Sequence, residues 1–187
     1  MKTLLDLGPS FVRRAADKID KDGLDLGDDI NNVALRGIGG MRVSGVYRQL
    51  SYVRRINPRV IFLDIGTNDF SDPQKDPVQL AREIIVAART VGEVPGVRAV
   101  IISEVMRQQV MRRADGRRHN FNHVRFILND ELKRLATSYD NISTCNHREF
   151  ATRWRDHLRP DGVHLNARGT LLYLKNMRIS VRKYGLK

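Results

Sequence analysis

A chain of 187 residues, 41% hydrophobic and 29% charged, is long enough to bury a core and has the composition of one soluble globular domain. No apolar run approaches the roughly 20 residues of a membrane span, no signal peptide is visible because the first apolar stretch is short and contains Asp6, and the lone Cys145 excludes an internal disulfide framework and a multi-cysteine zinc site. A net charge of +12 points toward polyanions such as nucleic acid, anionic lipid or acidic protein, and the cysteine usage toward a reducing, intracellular location, cytoplasmic or nuclear.

Leu4, Leu5 and Leu7 read as a short buried strand, Gly8-Pro9-Ser10 as a turn, and Phe11 to about Lys21 as a helix. A hydroxyl between a strand end and a helix start lies at the carboxyl edge of a sheet, where open α/β folds bind ligands and helix-start N–H groups favour negative charge. Ser10 also suits a plain N-cap role. Gly23–Asn32 is a polar, acidic connection, and Val33–Leu35 a short strand that ends in Arg36-Gly37-Ile38-Gly39-Gly40, a turn needing positive φ or close backbone approach. Val43, Val46, Leu50 and Val53 predict one face of a helix over Val43–Ile56, stopped by Asn57-Pro58.

Arg59–Asp64 is a nearly continuous apolar run, the mark of a central parallel strand, and opens into Ile65-Gly66-Thr67-Asn68-Asp69. Asp76-Pro77 starts a helix whose apolar face is Leu80, Ala81, Ile84, Ile85 and Ala88, and Gly92–Gly96 closes it. Val97–Ser103 is the fourth strand, Arg112–Asn122 a basic surface loop, and Phe121, Val124, Leu128, Leu132 and Leu135 one face of a helix running to about Ser138. Ile142–Cys145 is a weak fifth strand, Phe150–Pro160 a loop holding Trp154, and Ala167–Arg182 a last helix with Asn166 as its N-cap. His119, His123, His147 and His157 stand in polar surroundings and read as surface residues.

Strand alternates with helix about five times, which predicts a single α/β domain over residues 1–187 with a mainly parallel sheet and right-handed crossovers. The turns at Ser10, Gly40 and Asn68 then share one sheet edge. Acyl transfer needs a nucleophile, a base, a group that orients the base, and donors for the developing oxyanion. Ser10 can attack, His164 can take its proton, and Asp161, three residues earlier, can bond the other imidazole nitrogen. The Asn68 amide with the backbone N–H groups of Ser10 and Gly40 can hold the oxyanion. Asp69 reads as a cap or turn carboxylate. The paired arginines Arg13-Arg14, Arg54-Arg55, Arg112-Arg113 and Arg117-Arg118 suggest phosphate or nucleic-acid contact, the last two pairs within the basic loop.

With those residues in place the sequence resembles the SGNH (GDSL-like) hydrolase family along nearly its whole length. Gly8–Ser10 (GPS) stands where the family has GDS, Gly37–Gly40 (GIGG) matches its glycine block, Gly66–Asp69 (GTND) its asparagine block, and Asp161–His164 (DGVH) its Asp-x-x-His block. The resemblance implies a flavodoxin-like three-layer α/β/α sandwich with a five-stranded sheet, and hydrolysis of small acyl esters, acetyl esters foremost, with no metal or cofactor. Two positions depart from the family: Pro9 replaces the aspartate before the serine, and Met41 the aspartate often found after the glycines. A narrower resemblance, in LGPSFVRR, DIGTNDF and RPDGVHLNARG, is to the esterase domains of first open reading frame proteins from CR1/L2-type LINE retrotransposons, which are parts of RNA-binding polyproteins. It implies an RNA or DNA partner. The alternative reading is a weakly active or inactive module of the same fold that binds nucleic acid or an anionic lipid surface through its arginines.

Overall fold

A computed structural model of the chain describes residues 3–10, 12–15, 32–72, 74–108 and 121–184. The five expected strands are β1 (Thr3–Gly8), β2 (Asn32–Gly37), β3 (Val60–Leu63), β4 (Ala99–Ser103) and β5 (Ile142–Cys145). They form one sheet in the order β2-β1-β3-β4-β5, and each neighbouring pair is parallel.

Side chains alternate across the pleat, so each strand feeds two cores. Leu5, Leu7, Ile61, Leu63, Val100 and Ile102 face one side, where α1 (Val43–Tyr47), α2 (Leu50–Ile56), α3 (Pro77–Gly92) and α4 (Phe121–Ala136) supply the cover. Leu4, Val60, Phe62, Ala99 and Ile101 face the other, under α5 (Arg148–Thr152) and α6 (Ala167–Tyr184). The result is the expected three-layer α/β/α sandwich. Leu4, Leu5 and Leu7 are fully buried, each contributing about 1.5–3 kcal/mol.

Local chemistry places the helices. Asp76 accepts the Gln79 N–H at 2.8 Å and Pro77 follows at N1 of α3. Asn166 Oδ1 accepts the Gly169 N–H at 2.9 Å as the cap of α6. The helix expected over Val43–Ile56 is interrupted at Arg48-Gln49. Gly45 and the β-branched Val43 and Val46 are weak helix formers, so packing decides here: Val43, Val46 and Val53 stay buried across the break. The stretch expected as a loop from Phe150 holds the end of α5 and a 3-10 turn at Trp154–His157. His147 and His157, read from sequence as surface residues, are buried; His123 is exposed as expected, and His119 lies outside the described residues.

Strand order reverses between β1 and β3, the point where such sheets open a crevice at their carboxyl ends. Gly37 holds that edge together, because a Cβ there would collide with the backbone nitrogen and Cβ of Arg13. Gly37→Ala is expected to lower unfolding stability by about 1–3 kcal/mol, read as a reduced denaturant midpoint with an unchanged m-value.

Candidate active site

Ser10 follows the end of β1 and is the first helical residue, half-buried. The Pro9 carbonyl accepts the Val12 N–H at 3.1 Å, so Pro9 is the capping residue and the Ser10 hydroxyl is not used as a cap. The N–H groups of a first helical turn have no intrahelical partner, so that of Ser10 is not used within the helix.

Backbone and side-chain bonds stitch the neighbouring turns to this one. The Ile38 N–H donates to Gly8 O at 2.8 Å, joining the ends of β1 and β2. Asn68 Nδ2 donates to Met41 O at 3.0 Å. The Val43 N–H donates to both Asp69 carboxylate oxygens at 3.3 Å, so Asp69 satisfies the first N–H of α1 from 26 positions away. Burial raises the Asp69 pKa, against the pull of that N–H. Gly40 has φ +67°, with open space where a Cβ would stand. Its N–H is therefore unshielded by any side chain of its own. Met41 buries its side chain in the core where the family resemblance has an aspartate.

The second half of the site comes from the segment before α6. Asp161 Oδ1 accepts the N–H groups of Val163 and His164 at 2.9 and 2.8 Å, and Oδ2 lies 2.9 Å from His164 Nδ1. Those bonds, the backbone N–H of His164 foremost, push the Asp161 pKa down to about 2. A carboxylate only accepts, so Nδ1 carries a proton, and in the neutral ring Nε2 is the nitrogen with the free lone pair. The loop is braced by the Arg159 N–H on His164 O at 2.7 Å and Arg159 Nε on Leu165 O at 3.2 Å. Tyr173 of α6 bonds Asp6 near the end of β1, while Tyr184 at the other end of the helix lines a cleft with Ala99 and Ile142, the first residues of β4 and β5. The helix thus runs antiparallel to the strands, and His164, just before it, lies at their carboxyl edge. The structure pairs His164 with Asp161 and ties the Ser10, Gly40 and Asn68 turns together. Among the described residues no hydrogen bond joins Ser10 Oγ to the His164 ring.

One serine–histidine contact does appear elsewhere: Ser103 Oγ lies 2.9 Å from His147 Nε2. It belongs to a buried polar layer that sequence reading missed. Asn176 Nδ2 approaches His147 Nδ1 at 3.2 Å and Glu149 Oε2 at 3.5 Å, so it donates to both. His147 Nδ1 then accepts, and its proton sits on Nε2 and points at Ser103. Burial pushes His147 down to about 4, which keeps the ring neutral. A ring already protonated on Nε2 takes no proton from Ser103, so this pair lacks the tautomer of a nucleophile and base. Beside it Tyr173 bonds the carboxyl oxygens of Asp6 at 3.2 and 3.1 Å, and Asp64 is fully buried with its Oδ2 unpartnered. Burial, and for Asp6 the nearby Asp64, raises both carboxyls; Asp64 is pushed up to about 7. The available signal was an aspartate within one apolar strand and another directly after a second, in LLDL and FLD. Burial also pushes the Cys145 thiol up to about 12, so it carries no thiolate character at neutral pH. Arg112, Arg113, Arg117 and Arg118 lie outside the described residues.

The sequence model of the GDSL-like Lipase/Acylhydrolase family matches residues 6–171. None of the curated proteins matches the chain in sequence. Among solved structures, a lipase/acylhydrolase from Enterococcus faecalis shares 17% identity, covers 98% of this chain and 96% of its own, and superposes with a TM-score of 0.74. A carbohydrate esterase family 3 protein from Talaromyces cellulolyticus shares 17% over 99% and 98%, with a TM-score of 0.66. A GDSL-like lipase from Bacteroides thetaiotaomicron shares 17% over 97% and 88%, with a TM-score of 0.72. At these identities the likeness is one of fold.

Proposed function

Because the chain belongs to the GDSL-like lipase/acylhydrolase family, we propose that it is a serine esterase of small acyl esters, acetyl esters foremost, with Ser10 as nucleophile. The observation that carries this reading is the Asp161–His164 pair, which sets the imidazole in the tautomer a base requires. In this mechanism His164 Nε2 takes the Ser10 proton as Oγ attacks the ester carbonyl. The resulting oxyanion is held by the N–H groups of Ser10 and Gly40 and by the Asn68 amide, whose position its bond to Met41 fixes. His164 then gives its proton to the departing alcohol, leaving an acyl group on Ser10. Water, deprotonated by His164, hydrolyses that ester and releases the acid. Asp161 stays ionised throughout and stabilises the imidazolium. Catalytic hydrogen bonds are commonly long or misaligned before substrate arrives, so the serine–histidine bond belongs to the substrate-bound state.

The second reading, a module of the same fold that binds nucleic acid or anionic membrane with little catalysis, draws on the net charge of +12 and on the resemblance to retrotransposon esterase domains. It gives no role to the Asp161–His164 pair, and for that reason ranks second. Treatment with a fluorophosphonate, which phosphonylates activated serines with loss of fluoride, is the test. A phosphonyl adduct on the peptide carrying Ser10, absent from His164→Ala, is the expected result. Labelling at Ser103 instead, or none at any serine, overturns the assignment.

A further inference from the structure

A groove leads away from the glycine block. It opens at Gly39–Gly40 as a cleft of about 150 Å³ and continues past Arg48 and Gln49, which line both parts, into a cleft of about 370 Å³ beside Tyr52 and Arg55. Together the two parts reach the range of about 300–1,000 Å³ usual for small-molecule sites. The segment that builds these walls, Asn32–Arg59, contains six arginines and no lysine, aspartate or glutamate. Three of the arginines, Arg36, Arg48 and Arg55, line the outer part and are exposed. The guanidiniums of Arg36 and Arg55 lie over the Tyr52 ring at 4.9 and 5.1 Å, and Arg36 Nε donates to Gln49 Oε1 at 3.4 Å. Among the described residues no carboxylate is paired with Arg36, Arg48 or Arg55.

We propose that this groove binds phosphate on the non-acyl part of the substrate, so that the ester cleaved at Ser10 is one whose alcohol carries one or more phosphate groups. The inference rests on the esterase reading above. Position supports it: the groove starts at Gly40, whose N–H is assigned to the oxyanion, so a group held there is covalently close to the reacting carbonyl. Side-chain chemistry supports it as well. A guanidinium offers a planar fork of donors that matches two phosphate oxygens, and stacking on Tyr52 orders two of these forks before a ligand arrives. The absence of carboxylates along the segment means that an incoming phosphate displaces no internal ion pair at Arg36, Arg48 or Arg55. The reaction itself is unchanged: water cleaves the acyl–oxygen bond, giving the carboxylic acid and the free phosphorylated alcohol.

Phenyl acetate and 4-acetoxyphenyl phosphate, which share the scissile bond, provide the test. We expect kcat/KM for the phosphorylated ester to exceed that for phenyl acetate by about tenfold or more, mainly through KM. The advantage shrinks toward parity in about 0.5 M NaCl, where charges are screened within a few ångströms. Arg36→Gln/Arg48→Gln/Arg55→Gln removes the preference and leaves phenyl acetate turnover within about twofold, since these side chains touch no reacting atom. Arg48→Gln alone replaces the triple variant should the latter not fold. Calorimetric titration with phenyl phosphate reads the groove without catalysis. Salt-sensitive binding lost in the arginine variant, with neither ester hydrolysed, would retain the anion site and dismiss the esterase reading. Equal turnover of both esters, no phenyl phosphate binding, or binding only of a polymer such as single-stranded RNA or of anionic vesicles, overturns the proposal.

Discussion

Ser10→Ala lowers hydrolysis of p-nitrophenyl acetate by about 10⁴-fold or more and leaves the unfolding midpoint nearly unchanged. The size follows from the role, since removing the nucleophile of a serine–histidine system removes the covalent route and leaves only residual oxyanion stabilisation. The stability result follows from the structure: the Pro9 carbonyl, not the Ser10 hydroxyl, starts the helix. Asp161→Asn is the sharper companion. An asparagine amide at Nδ1 donates where the carboxylate accepted, which moves the His164 proton to Nε2. The protein already contains that arrangement in the Asn176–His147–Ser103 chain, and there it yields a neutral ring with no capacity to take a serine proton. A loss of about 10³–10⁴-fold in kcat is expected, with KM little changed. Undiminished hydrolysis by Ser10→Ala, measured on protein purified free of host esterases, would remove the mechanism.

Asp64→Asn stabilises the protein at alkaline pH. The carboxyl releases its proton at about 7 in the folded chain against a reference near 3.8, because burial disfavours the charge. Between those values the unfolded chain binds fewer protons than the folded one, so this group's contribution is complete at low pH and is lost as pH rises from about 4 to about 7. The loss amounts to about 4 kcal/mol. His147 slopes the other way. Burial pushes its pKa from 6.5 to about 4, so its contribution is absent at low pH and is gained over that interval. The parent's own curve is therefore blunted between pH 4 and 6.5, and the informative quantity is the difference between variant and parent. Urea unfolding is expected to show that difference near zero at pH 4 and close to 4 kcal/mol in the variant's favour at pH 8. A difference that stays flat across this range would mean that Asp64 is ionised in the folded protein at every pH tested.

Much of the candidate site was legible because each part is local. The glycines at 37, 39 and 40, the Gly66–Asp69 turn and the Asp161–His164 spacing are short-range patterns, and so is the Asn166 cap. Asp161 reaches His164 across three residues, with the carboxylate held by two backbone N–H groups of its own loop. Other features were not legible, because they depend on distant neighbours. The Val43–Ile56 pattern indicated which face is buried and was silent on the break at Arg48-Gln49. His147 is surrounded by polar letters in the chain, yet its partners, Ser103 and Asn176, come from β4 and α6.

By itself the amino-acid order determined the alternation of five strands with helices and the turns that end them, and it named the candidate groups for acyl chemistry, since hydrophobic period, glycine and capping residues act over a few positions. The tertiary structure alone decided which polar groups leave water. Asp6 meets Tyr173 from 167 positions away, and the packing of α6 on the sheet, not anything adjacent to either residue, sets their burial and the protonation that follows from it.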